Sequence, residues 1–104
     1  MRGRRLSELI EQATVDANSD SEQTTGFLTR IEENLAVPFV TQALGMSVTV
    51  ESVDLTDDER IVVVCSRGRD RRRLPILDVP LPDPAPEGAE WIEAYRAWST
   101  GSWS

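Results

Sequence analysis

The sequence has no histidine and no lysine, and Cys65 is its single cysteine. Each absence excludes a class of chemistry. Without histidine there is no Ser-His-Asp triad, no Cys-His dyad and no histidine-bearing zinc site. One cysteine forms no internal disulfide and cannot build a four-cysteine metal site, so a reducing, cytoplasmic setting is the expectation. Long apolar runs are also missing: nothing approaches the ~20 residues a membrane helix needs. The basic start, Met1-Arg2-Gly3-Arg4-Arg5, is followed by a stretch that Ser7 and Glu8 interrupt, which does not read as a signal peptide. What remains is 104 residues, 39% of them hydrophobic, with 11 basic against 18 acidic side chains and a net charge of −7. That suffices for one domain with one modest core.

Apolar spacing organises the chain. Leu6, Leu9, Ile10, Ala13 and Ala17 recur at helical intervals and predict an amphipathic helix over 4–17. Polar residues 16–21 break it. A second helix is expected from there, with Asp20 or Ser21 as N-cap and Phe27, Leu28, Ile31 and Leu35 on one face, ending before Pro38. Gly26 weakens that helix by up to ~1 kcal/mol. The pattern then changes to strands. Residues 40–44 and the alternation of Met46, Val48, Val50 and Val53 suggest two, and Ile61 to Cys65 reads as a central strand covered on both faces. A last edge strand carries Leu74, Ile76 and Val79. Four prolines within residues 80–86 form an extended spacer, and a closing helix presents Trp91, Tyr95 and Trp98 to the sheet. The fold class expected is therefore α+β: N-terminal helices, a four-stranded antiparallel sheet or a small partly closed β-barrel, and a C-terminal helix packed on it. Residues 1–20 read as an N-terminal extension and 21–104 as a single α+β domain.

Two charged clusters are the candidate sites. Asp54, Asp57, Asp58 and Glu59 place four carboxylates within six residues; hard cations such as calcium take several oxygen ligands, while a solvated hairpin turn would carry the same residues for solubility. Asp16-x-Asn18-x-Asp20-x-Glu22 begins like an EF-hand loop, yet Ser21 stands at the glycine position and Phe27 at that of the bidentate glutamate. The second cluster, Arg67, Arg69, Arg71, Arg72 and Arg73, suits a hairpin tip that meets an acidic partner. Net acidity and the lack of interleaved aromatic residues weigh against nucleic acid. Cys65 has arginines close by in sequence, which can lower a thiol pKa, but it lacks a base. Trp103, in a serine-rich tail, is a candidate anchor for a protein partner or a homodimer.

Three segments carry a family resemblance: Ile31-Glu32-Glu33-Asn34-Leu35-Ala36-Val37-Pro38-Phe39, Gly45-Met46-Ser47-Val48-Thr49-Val50, and Ala94-Tyr95-Arg96-Ala97-Trp98. Over residues 27–103 the chain resembles small bacterial proteins catalogued as calcium-binding proteins. The resemblance implies calcium as ligand and adds Glu32 and Glu33 to the candidate ligands, with Glu33 standing where an aspartate is common. The expected function is a small non-enzymatic binding domain, monomeric or homodimeric. The alternative is a protein-interaction or regulatory module using the Arg67–Arg73 hairpin tip toward an acidic partner or nucleic acid.

Overall fold

The computed structural model describes residues 2–43 and 45–101, with side chains from Arg5 onward. Helix α1 spans Arg2–Thr14 and buries Leu9, Ile10 and Ala13. It ends three residues earlier than the apolar period suggests. Asp16 turns into the left-handed region at φ 60°, which leaves Val15 63% exposed.

Helix α2 spans Asp20–Asn34. Its N-cap is Ser19 rather than Asp20 or Ser21, because Ser19-Asp20-Ser21-Glu22 has capping-box spacing. Glu22 N donates to Ser19 Oγ (3.2 Å) and Asn18 N donates to Glu22 Oε2 (3.1 Å). Gly26 has a packing role. A Cβ there would lie 2.0 Å from the Ala13 carbonyl oxygen, so its absence lets the backbones of α1 and α2 approach closely. The helix closes where Leu35 N donates to Ile31 O (2.8 Å) and the Asn34 side-chain amide to Arg30 O (2.8 Å).

Four antiparallel strands follow in the order β1-β2-β3-β4: Phe39–Ala43, Met46–Leu55, Ile61–Arg67 and Asp70–Pro75. The sheet is open, with β1 and β4 as its edges, so the barrel alternative does not hold. In β1 the inward positions are the buried Thr41 and Ala43, whereas Val40 faces out and is 58% exposed. Strand β2 shifts register between Val50 and Ser52, leaving Glu51 as an extra residue. That bulge explains an odd step in the apolar pattern: Val48 and Val50 face the core before it, Val53 and Leu55 after it.

Two further expectations are corrected. Strand β3 sends Ile61, Val63 and Cys65 into the core, while Val62 and Val64 lie outside that cluster, Val62 still buried and Val64 only half-buried, so the two faces are not equally covered. The last strand contains Leu74, but Ile76 and Val79 lie beyond its end. It begins at Asp70 and runs through Arg71, Arg72 and Arg73, while Ile76–Asp78 is a short 3-10 turn that buries Ile76. Backbone pairing with β3 places those arginines in a strand despite their missing apolar alternation; the charge suits an edge that must not recruit another chain.

The proline-rich segment runs back beneath the sheet. The Thr41 hydroxyl donates to Pro80 O, and Ala36 N donates to Glu87 O (2.8 Å). Gly88, at φ 88°, lies so close to the end of α2 that a Cβ would fall 2.1 Å from Asn34 O. Helix α3, Ala89–Thr100, then packs on the sheet side. Tyr95 and Trp98 meet Phe27 of α2 with ring centroids 5.6 and 5.2 Å away. Arg30 lies over the Trp91 ring at 5.6 Å. All three helices and the sheet share one buried cluster, which includes Leu9 and Ile10 of α1.

Candidate functional site: an acidic loop and an arginine strand

The β2–β3 connection, residues 56–60, is a tight loop held from within. Thr56 N donates to Arg60 O (2.9 Å), Glu59 N to Thr56 O (2.9 Å) and Arg60 N to the Thr56 hydroxyl oxygen (3.0 Å). Glu59 occupies the left-handed position at φ 64°. The Thr56 hydroxyl also donates to Asp58. That hydrogen bond above all, then a backbone hydrogen bond and the Arg60 guanidinium at 3.4 Å, hold the Asp58 carboxyl below the usual range, against an opposing effect of desolvation.

Three of the four clustered carboxylates point to separate partners. Asp54, on the outer face of β2, pairs with Arg73 at 2.7 Å. Glu59 accepts from the Ser21 hydroxyl at the start of α2 (2.5 Å). Asp58 is engaged inside the loop, and Asp57 is exposed with no hydrogen bond or ion pair among the described residues. Glu32 and Glu33 are exposed at the other end of α2. The helical rise puts Glu32 roughly 16 Å along the axis from Ser21, and therefore far from Glu59. Among the described residues no three Asp, Glu, Cys or His side chains come together as a metal cluster. The arrangement is not a ready-made calcium cage.

The arginine run is likewise divided, because strand pleating sends alternate residues to opposite faces. Arg71 and Arg73 lie on the outer face, where they reach across β3 to Glu51 (3.4 Å) and Asp54 (2.7 Å) on β2. Arg72 faces inward beside Cys65, and Arg67 and Arg69 flank the β3–β4 turn. Only the last two belong to a hairpin tip, so a five-arginine tip does not form. Trp103 lies outside the described residues. Cys65 is 2% exposed, and burial pushes its thiol pKa up, with the Glu51 carboxylate adding to the effect. The thiol is thus the opposite of an arginine-activated nucleophile.

Sequence reasoning missed Glu51, and it named Arg72 without its inward orientation. The break in alternation between Val50 and Val53 is the signal that could have exposed the bulge at Glu51. No local signal marks Arg72, because its orientation depends on strand register.

Glu33-Asn34-Leu35 forms the corner that receives Gly88 and so has a structural role: it fixes how the proline segment docks on α2. The fold so defined is a small α+β domain with an open antiparallel sheet. No protein-family model matches the sequence, and no curated protein matches it. Among solved structures the chain is similar to one described as "Calcium binding protein in the calcium-binding form". The TM-score is 0.76 at 17% identity, covering 97% of this chain and 94% of that one. At this identity the likeness shows the fold, and it extends over α1, which the motif resemblance does not include. No described helix is long and apolar enough to cross a membrane.

Proposed function

We propose that this chain is a small non-enzymatic binding domain that takes calcium weakly, at the β2–β3 loop. The supporting observation is the fold shared along nearly its whole length with a protein described as calcium-binding. The loop adds the chemistry: among the described residues Asp57 has no hydrogen bond or ion pair, Glu59 accepts an exchangeable hydroxyl at one oxygen, and Asp58 accepts one at Oδ1 while its Oδ2 faces the exposed Arg60 at 3.4 Å. A calcium ion taking six to eight oxygens would draw on these carboxylates, backbone carbonyls and water. Because the carboxylates must leave or share existing hydrogen bonds, the affinity belongs in the weak range, a Kd on the order of 10⁻⁴ to 10⁻³ M. Binding weakens in acid as protons compete with the ion for the carboxylate oxygens, and Asp58, held below the usual carboxylate range, keeps its charge further into acid than a free aspartate.

Calorimetric titration with calcium at 0.15 M salt tests this. The expected result is saturable heat, lost at least about tenfold in affinity in the Asp57→Asn/Asp58→Asn double variant and retained in Glu32→Gln/Glu33→Gln. Absence of heat defeats the calcium reading. Loss confined to the Glu32/Glu33 variant moves the ion to the other end of α2 and defeats the loop assignment.

A further inference from the structure

The core-facing side of the sheet is not wholly covered by helices. At the end where the β1–β2 and β3–β4 hairpins meet, it opens into a cavity of about 150 Å³ to which no helical residue contributes. Val48, Cys65 and Leu74 supply an apolar floor, and Arg67, Arg72 and Asp70 stand at the mouth.

The charge at this mouth is distinctive in a chain of net charge −7. Arg71 and Arg73 are matched by carboxylates, whereas no carboxylate lies within ion-pair distance of Arg67 or Arg72 among the described residues. The Arg67 guanidinium instead rests against the Met46 sulfur. Two guanidinium groups against one aspartate leave the mouth locally cationic over an apolar floor. A guanidinium is a fork that matches a carboxylate geometrically and binds it more strongly than a neutral acceptor. A cavity of about 150 Å³ accommodates one benzene-sized group.

We propose that this cavity is a binding site for a small apolar monocarboxylate, an aromatic acid of the size of benzoate. The ring rests on Val48, Cys65 and Leu74, and the carboxylate reaches Arg72 and Arg67. Asp70 and the acidic remainder of the molecule oppose the anion, so the affinity is modest, with a Kd on the order of 10⁻³ M. The site is separate from the acidic loop and does not depend on the calcium reading.

The test is an NMR titration of the whole chain in EGTA, with benzoate, benzyl alcohol and acetate as probes and thermal unfolding to verify that each variant folds. Benzoate is expected to shift the Val48, Cys65 and Leu74 amides saturably. Benzyl alcohol lacks the charge and acetate lacks the ring, so both bind at least about tenfold more weakly. Arg72→Gln weakens benzoate by a similar factor, while Arg69→Gln, at the turn and outside the cavity, leaves it unchanged. Non-saturating shifts overturn the site. Equal binding of acetate reduces it to diffuse charge, equal binding of benzyl alcohol removes the role of the arginines, and equal loss in the Arg69 variant removes that of Arg72; each result contradicts the proposal.

Discussion

At Gly26 a rule of helix propensity reverses sign. Replacing a mid-helix glycine by alanine ordinarily stabilises by up to ~1 kcal/mol. Here the new Cβ would meet the Ala13 carbonyl oxygen at 2.0 Å, backbone that cannot swing away. Gly26→Ala should therefore destabilise by about 1–3 kcal/mol, the usual cost of forcing volume into a packed contact, measured as a lower urea midpoint at unchanged slope. A midpoint that rises would contradict the close crossing of α1 and α2. Cys65 gives a prediction in pH. Its folded pKa is raised, so the unfolded thiol ionises first as pH climbs. The resulting stability is fully present below the unfolded pKa near 8.5 to 9 and is lost as pH rises through the higher folded value. The ratio of Cys65→Ala to wild-type stability should thus grow between pH 8 and 10, and the native thiol should resist alkylation at pH 8.

Elements are positioned here by local signals of unequal legibility. The capping box makes α2 start at Ser19, and Ser19→Ala should cost about 1 kcal/mol in unfolding free energy by removing the acceptor for Glu22 N. An unchanged stability would show that the cap is immaterial. The helices were readable because apolar residues at three- and four-residue spacing mark one buried face, and Leu9, Ile10, Phe27 and Ile31 all lie in the core. Strand β4 was not, since Arg71, Arg72 and Arg73 have no apolar alternation and are placed by hydrogen bonding to β3. The same limit applies to charge. Sequence shows where Asp54 and Arg73 are dense, but only register shows that they pair with each other across β3 instead of facing outward partners. Exposed pairs of this kind contribute little, about 0–1 kcal/mol each. Their effect is to occupy charges that seemed free for binding.

For the whole molecule, apolar packing among three helices and one face of an open sheet supplies the core, and we expect the fold to form without metal. No described carboxylate cluster is buried in it or holds its elements together. Calcium, on this account, is an addition at the surface. Ligand binding to the native state raises its stability by mass action; at 10 mM calcium and a Kd of about 1 mM this adds about 1.4 kcal/mol, a rise in Tm on the order of 5 °C for a domain of this size. Thermal unfolding followed by circular dichroism, in EGTA and then in 10 mM calcium, is the direct measurement. The account predicts a cooperative transition in EGTA whose midpoint moves upward by several degrees with calcium. A chain that lacks a cooperative transition until calcium is added, or one whose midpoint is indifferent to calcium, would contradict it.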